Sequence, residues 1–141
     1  MKPFFLFFML ALTVNAQEHN LDNGFIAEGY DVVAYFQGAA KKGNTAYVVN
    51  YKGVKYKFHT EENKATFEAD PENYIPQYGG WCAYAMGKDG SKAGINPKRF
   101  EIRDGKLYLF YDAFFVNTLD KWLKEDTEKL KAQADKHWKV Q

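Results

Sequence analysis

The chain has 141 residues, 19 basic against 18 acidic side chains, 18% aromatic residues and a single cysteine. This length suits one domain with one hydrophobic core, and the balanced charge, without a basic patch, argues against a nucleic-acid partner. One cysteine excludes an internal disulfide, so its thiol is expected to be buried, bound to a ligand or available to another molecule.

Residues 1–16 are typical of a secretory signal peptide. Lys2 supplies the positive charge, an apolar run spans residues 4–12, and Val14 and Ala16 stand at positions −3 and −1 of a small-residue cleavage site. The run is shorter than the roughly 20 apolar residues that cross a bilayer. We therefore expect a periplasmic or secreted protein whose mature chain begins at Gln17 and has no membrane span.

The first predicted elements follow a flexible N-terminal segment at residues 17–28. The stretch "GYDVVAYF", residues 29–36, is rich in β-branched and aromatic residues and predicts a strand. Residues 45–60 predict a β-hairpin that turns at Gly53, because apolar and polar residues alternate along its second arm. Thr60 then predicts a helix N-cap, since acidic residues follow it in the first turn.

The second half predicts a short helix around Cys82 that ends at Gly87, and a hairpin at residues 99–111 that turns at Asp104-Gly105. Residues 112–140 predict a helical tail, because apolar residues recur there at helical spacing. The elements do not alternate as β-α-β units, so we predict an α+β fold. Its parts are a small antiparallel sheet of two hairpins plus an extra strand, short helices around the cysteine, and a long C-terminal helix.

Three segments carry a resemblance to a known family: "GYDVVAYF", "KYKFHTEENKATFEADPENYIPQYGGWCAYAM" and "DGKLYLFYD" followed by a helix with tryptophans. Together they resemble the exported, single-domain YHS proteins over residues 29–138. The Tyr-His-Ser signature corresponds to Phe58-His59-Thr60 here. Wider members of the group accompany heavy-metal transporters and some oxygenases. The resemblance therefore implies metal handling, with a metal transporter or another periplasmic protein as partner, but no established reaction.

The candidate metal site centres on Cys82. Met86 lies four residues later and would share one helix face with it, and a thiolate with a thioether suits Cu(I). His59 is the predicted third ligand of this copper site. Four neighbouring residues are expected to shape the site, by shielding it from water or by letting the backbone approach closely: Tyr78, Gly79, Gly80 and Trp81.

Two alternatives use the same thiol differently. In the first, Cys82 is a small buried hydrophobe, and the protein is a non-catalytic interaction or structural module with an exposed aromatic patch. In the second, Cys82 is the nucleophile of a thiol-dependent enzyme, with His59 or His137 as base. Nothing else in the sequence completes a catalytic triad, which favours a protein without catalytic activity.

A separate copper hypothesis concerns the mature N-terminus. If the signal is cut after Ala16, then the amine of Gln17, two backbone amides and His19 form a square-planar nitrogen set that suits Cu(II) or Ni(II). This set requires a free amine, which cyclisation of Gln17 would remove. Copper binding by the mature protein therefore has to be tested with His19→Ala before it is assigned to Cys82.

Overall fold

The structure, a computed structural model, describes residues 1–4 and 18–141. Most of the predicted signal peptide and its cleavage site at Ala16 lie outside the described residues. Within the described part, no helix is both long and apolar enough to cross a membrane.

The chain forms eight short strands and five α-helices in its described part, with 3-10 turns between them. In chain order these are Leu21–Asp22 (β1), Phe25–Ile26 (β2), Val32–Phe36 (α1), Asn44–Tyr51 (β3), Val54–Phe58 (β4), Glu61–Ala69 (α2), Ala83–Asp89 (α3), Asn96–Arg103 (β5), Lys106–Phe110 (β6), Asp112–Ala113 (β7), Val116–Asn117 (β8), Thr118–Lys124 (α4) and Thr127–Lys139 (α5). The α+β fold class is confirmed.

The two predicted hairpins are both present, but they belong to different sheets. The β3–β4 hairpin lies in a four-stranded sheet of order β1-β2-β4-β3, where β2 pairs with β4 in parallel. The β5–β6 hairpin forms a sheet of its own, and the β7–β8 hairpin forms another. Lys52-Gly53 and Asp104-Gly105 make the first two turns, all four residues with positive φ, as tight primed turns require.

The stretch 29–36 contains helix α1, so the strand prediction there was wrong. The carboxylate of Asp31 accepts the backbone N–H groups of Val33 at 2.8 Å and Ala34 at 3.0 Å, which caps the helix. This capping bond and the burial of the valines outweigh the weak preference of β-branched residues for strands. Residues 18–28, for which the sequence predicts a flexible segment, carry β1 and β2, and Ile26 is fully buried.

Helix α3 extends beyond Gly87, which the sequence predicts as its end. It closes instead at Gly90, a C-cap in the left-handed conformation with φ 76°. Gly87 lies inside the helix because α5 packs directly against it. A Cβ at Gly87 would lie 2.7 Å from the carbonyl oxygen of Leu130, so only glycine fits this helix contact.

The tail was predicted as one helix from residue 112, and the structure corrects its start. The β7–β8 hairpin comes first, and α4 begins only at Thr118, where the Asn117 side chain accepts the N–H of Asp120. A break at Glu125 separates α4 from α5, the long C-terminal helix, whose N-cap is Asp126.

Strand β6 divides the core into two hydrophobic clusters. Its side chains alternate, so Leu107 and Leu109 pack with the first cluster while Tyr108 and Phe110 pack with the second. The first cluster lies among β4, α1 and α2, and the second lies among α3, α4 and α5. Cys82 forms an isolated parallel bridge with Leu109, which places the thiol beside this dividing strand.

Candidate functional site

The thiol of Cys82 lies at the start of α3 and is fully buried. The backbone of this residue is fixed on both sides: its N–H donates to the carbonyl of Ala93 at 2.9 Å, and its carbonyl accepts the N–H of Met86 at 3.1 Å. The described structure therefore gives the cysteine an N-cap position in a helix that is held between β6 and α5.

Two groups contact the Cys82 sulfur, and together they define its protonation. The backbone N–H of Tyr111 donates to Sγ at 3.3 Å, and the Thr118 hydroxyl lies 3.4 Å from Sγ. That hydroxyl has a single proton, which it donates to the carbonyl of Tyr111 at 2.6 Å. The thiol must therefore be the donor towards Thr118, so Cys82 is a neutral thiol that both donates and accepts a hydrogen bond.

These contacts close the base of the β7–β8 hairpin. Tyr111 directly precedes β7, Thr118 directly follows β8, and the N–H of Thr118 donates to the carbonyl of Tyr111 at 3.2 Å. Cys82 reaches both residues from α3. The thiol thus links the hairpin base to the core.

The tip of this hairpin carries two phenylalanines that contact almost nothing. Phe114 and Phe115 are exposed to 101% and 100%, with ring centroids 6.5 Å apart. Tyr111 and Val116, on either side, are also exposed, to 40% and 38%. Two adjacent, fully exposed aromatic side chains are unusual on a monomer and typically mark an interaction site.

Sequence reasoning missed this tip because it assigned residues 112–140 to a helix. A local signal was nevertheless present. Asn117 with Asp120 three residues later is a common N-cap pattern with an acidic residue in the first turn. That pattern starts the helix at Thr118 and leaves Phe114-Phe115 in a turn between two short extended pairs.

Met86, the predicted second ligand, is fully buried in the second cluster. Its thioether accepts a weak hydrogen bond from the Gln141 side chain at 3.7 Å. Its carbonyl accepts a 2.5 Å hydrogen bond from Nδ1 of His137, which must carry the proton because a carbonyl only accepts. His137, predicted as a base in the enzyme alternative, is therefore engaged in closing the end of α3.

His59, the predicted third ligand, is exposed, and its backbone bonds to Asp31. Its N–H donates to Oδ2 of Asp31 at 2.8 Å, and the Asn63 side chain donates to the same oxygen at 2.8 Å. The imidazole is exposed, whereas the sulfur-bearing side chains of Cys82 and Met86 are fully buried. Across residues 1–4 and 18–141, no group of three or more His, Cys, Asp or Glu side chains could hold a metal ion.

The loop before Cys82 has three consecutive residues with positive φ: Tyr78 at 57°, Gly79 at 60° and Gly80 at 81°. A Cβ at Gly79 would lie 2.8 Å from the Trp138 ring, and one at Gly80 would lie 2.8 Å from Ile26. The Tyr78 hydroxyl donates to Asp135 at 2.8 Å, and burial, followed by this bond, raises the pKa of Tyr78. Both glycines therefore serve close protein packing.

The N-terminal segment is fixed to this loop around His19. The indole N–H of Trp81 donates to the carbonyl of Glu18 at 2.9 Å. The backbone N–H of Asn20 donates to the carbonyl of Gly79, also at 2.9 Å. His19 therefore lies between two anchored residues, while Gln17, which would supply the free amine, falls outside the described residues.

Comparison with known protein families identifies a domain in the central part of the chain. The YHS domain family matches residues 36–78. This stretch is a YHS domain. It begins at the last residue of α1, includes β3, β4 and α2, and ends at Tyr78. No curated protein and no solved structure matches the chain.

The limits of the YHS domain separate the candidate ligands. His59 lies inside it, at the predicted signature, whereas Cys82, Met86 and the β7–β8 hairpin follow its last matched residue. Asp31, which precedes the YHS domain, fixes two of its residues, His59 and Asn63, through the contacts given above. A buried carboxylate outside the YHS domain thus accepts hydrogen bonds from two residues inside it.

Proposed function

We propose that this chain is a non-catalytic interaction module whose docking element is the β7–β8 hairpin. One observation carries the proposal: Phe114 and Phe115 are fully exposed at the tip of a hairpin whose base is hydrogen-bonded to the buried Cys82. Burial of each ring by a partner would contribute about 1.5–3 kcal/mol. A rigid base favours binding further, because less conformational freedom is lost when a pre-ordered element docks.

The same geometry disfavours the thiol-dependent enzyme. Catalysis by cysteine needs an accessible thiolate, whereas Cys82 is buried, neutral and satisfied as both donor and acceptor. His137, one candidate base, donates to the Met86 carbonyl, and His59, the other, is exposed beside Asp31.

A photo-crosslinking experiment tests the docking element. A photoreactive phenylalanine analogue is placed at position 115 of the full chain, produced in its native host, and compared with the same analogue at Leu21. Leu21 is an exposed apolar residue of β1, and it serves as the matched control. We expect a discrete covalent adduct from position 115 and none from position 21. Absence of an adduct at position 115, or equal labelling from both positions, would contradict the proposal.

A double variant, Phe114→Ser with Phe115→Ser, distinguishes a role of the two rings in docking from a role in folding. Because both rings are fully exposed, we expect the double variant to keep the melting temperature of the wild type. It should also prevent crosslinking from a probe at the neighbouring exposed Val116. A large loss of stability would show that the rings have a structural role.

A second candidate function is soft-metal binding, copper first, at Cys82 and Met86. The supporting observation is that both sulfur-bearing side chains are fully buried, Cys82 as the N-cap of α3 and Met86 four residues later within it. Cu(I) would displace the thiol proton that is now donated to Thr118, while the N–H of Tyr111 could continue to donate to the thiolate. His59, whose imidazole is exposed and whose backbone N–H donates to Asp31, is the third ligand of this candidate site.

Competition for Cu(I) with a chromophoric chelator, under anaerobic reducing conditions, tests this second function. Wild type, Cys82→Ser and His19→Ala are compared. Tight binding of one equivalent that is lost only in Cys82→Ser would support copper binding at the thiol. Equal, weak binding by all three proteins would contradict it and leave the interaction module unaffected.

Export is part of the same proposal. Residues 1–16 would be removed as a signal peptide, and residues 29–138 would act as a single YHS-type domain in the periplasm or outside the cell. Intact mass spectrometry of protein purified from the periplasm or medium tests this: a mature chain that begins at Gln17 is expected. Recovery of the full chain from the cytoplasm would contradict export.

A further inference from the structure

Two lysines of β4 lie against one aromatic ring on the outer face of the four-stranded sheet. The Nζ atoms of Lys55 and Lys57 are 5.3 Å and 4.2 Å from the centroid of the Phe25 ring. Lys55 and Phe25 are direct partners in the parallel pairing of β2 with β4. Because alternate strand residues share a face, both ammonium groups stand on the same side of the sheet.

Backbone segments pass close to the two lysine side chains, most tightly at Gly24 and Gly43. A Cβ at Gly24 would lie 3.3 Å from Cε of Lys55, and a Cβ at Gly43 would lie 2.4 Å from Cγ of Lys57. At Gly29, a Cβ would be 3.7 Å from Nζ of Lys57. Both lysine side chains thus run beside neighbouring backbone segments, and both ammonium groups lie near the Phe25 ring.

Neither ammonium group has a carboxylate partner within the described residues. Lys55 and Lys57 form no ion pair there, and neither do Lys41 and Lys42 of the adjoining loop. On the neighbouring strand β3, Asn50 lies opposite Lys55 and Val48 lies opposite Lys57. On β1, Asp22 lies opposite Phe25. The other titratable residues nearby along the chain are Glu28, which follows β2, and His59, which follows β4.

The same molecule contains a contrasting cluster in which two lysines also flank one aromatic ring. Lys88 and Lys121 have their Nζ atoms 5.8 Å and 5.9 Å from the Tyr84 centroid. There a carboxylate is present, because Glu125 lies 3.4 Å from Lys88. Both clusters place two lysine ammonium groups near one aromatic ring. At Phe25, unlike at Tyr84, neither ammonium group forms an ion pair with a described carboxylate.

We propose that Lys55 and Lys57 form a binding site for a doubly charged oxyanion, a phosphate group carried by a small molecule or a lipid. Two ammonium groups offer six N–H donors and two positive charges to such a group, and lysine is a common point-charge ligand for phosphate. The Phe25 ring limits hydration on one side of the ammonium groups. This site is independent of the docking hairpin and of the thiol.

Titration with inorganic phosphate, followed by NMR of isotope-labelled lysine side chains, tests the site in the intact chain. We expect saturable shifts at Lys55 and Lys57, and at least a tenfold loss of affinity in the double variant Lys55→Gln, Lys57→Gln. Lys88→Gln with Lys121→Gln is the matched control and should bind phosphate as the wild type does. Lys55→Gln alone, which removes the more exposed lysine, repeats the measurement if the double variant is unstable.

Vesicle flotation identifies the source of the phosphate group. Binding to phosphatidic acid vesicles but not to phosphatidylcholine vesicles, lost in the Lys55 and Lys57 variants, would assign a lipid headgroup. Phosphate titration without vesicle binding would assign a soluble phosphate ester. Shifts that do not saturate, or that are equal in wild type and in both double variants, would overturn the proposal, because general charge attraction would then explain them.

Discussion

The neutral thiol of Cys82 both donates and accepts a hydrogen bond. Its two partners, Tyr111 and Thr118, also close the base of the β7–β8 hairpin. Tyr111 donates to the sulfur, and Thr118 accepts from it. Removal of the sulfur would leave the Tyr111 N–H without its acceptor and create a small cavity. The hydrogen bonds of the thiol therefore indicate a structural role for Cys82.

We expect Cys82→Ala to lower the free energy of unfolding by about 1–3 kcal/mol, the usual consequence of a buried donor left without its partner. Urea denaturation measures this change. In the native wild type, the thiol should react with an alkylating agent only as fast as the protein opens. Rapid native-state alkylation, or a fully stable alanine variant, would argue against the structural role.

Asp31 is the second residue whose surroundings define its role. It is fully buried, and its two oxygens accept four N–H groups: those of Val33, Ala34, His59 and the Asn63 side chain. These bonds cap α1 and hold the end of β4 against α2. One short carboxylate thus joins three elements around the start of the YHS domain.

Asp31→Ala should therefore destabilise the protein by about 3 kcal/mol or more, because it removes a helix cap and leaves several buried donors unpaired. Asn117→Ala is the matched control, since Asn117 caps α4 through one hydrogen bond at a more exposed position, and it should lower stability by about 1 kcal/mol. Equal losses in chemical denaturation would show that Asp31 acts only as a cap.

At the scale of elements, α5 packs directly against α3, the helix that begins at Cys82. Gly87 lets the two helices approach until its Cα faces the backbone of Leu130. At the same end of α3, the His137 ring bonds the carbonyl of Met86 and the Gln141 side chain donates to the carbonyl of Gly90. The C-terminal half of α3 is therefore held by the C-terminal segment.

We expect Gly87→Ala to destabilise the protein by about 1–3 kcal/mol, although alanine favours helices, because its Cβ would strike the Leu130 carbonyl. Gly94→Ala supplies the control: nothing lies within 4 Å of a Cβ there. Thermal denaturation should separate the two variants clearly. Stabilisation by Gly87→Ala would mean that α5 is held less closely than the structure indicates.

At the scale of the whole molecule, the aromatic core makes the protein sensitive to alkali. Burial raises the pKa of Tyr56 and of Tyr108 to about 12, and it raises the pKa of Tyr35 and Tyr78 as well. The folded state therefore keeps protons that the unfolded chain loses near pH 10. The stabilisation from these tyrosines is complete below pH 10 and decreases as the pH rises towards 12.

The free energy of unfolding should thus fall between pH 10 and 12, and tyrosinate absorbance should rise in two stages. Exposed tyrosines would titrate first, and the buried ones would follow as the protein unfolds. Tyr78→Phe should shift part of the second stage, because it removes one buried hydroxyl. A single absorbance transition near pH 10, with the fold intact, would contradict the burial of these rings.

Patterns within a few residues determined much of this protein from the sequence alone. The two hairpins, the Thr60 cap and the α+β class follow from alternation, turn residues and side-chain caps, whose hydrogen bonds span two to four residues. The YHS resemblance rests on such local signals too, and a YHS domain is found at residues 36–78. The same local reasoning failed at residues 29–36, where the strand preference of two valines was overridden by the Asp31 cap and by burial.

Only the tertiary structure decided the features on which the proposals rest. The partners of Cys82 lie 29 and 36 residues away along the chain, so no local pattern reveals that its thiol is neutral and satisfied. The fit of Gly87 against Leu130, and the convergence of Lys55 and Lys57 on Phe25, likewise join separate segments. The full exposure of Phe114 and Phe115 was also decided at this level. Burial and exposure depend on how all the elements pack, whereas hydrogen-bonded turns and caps depend mainly on their own residues.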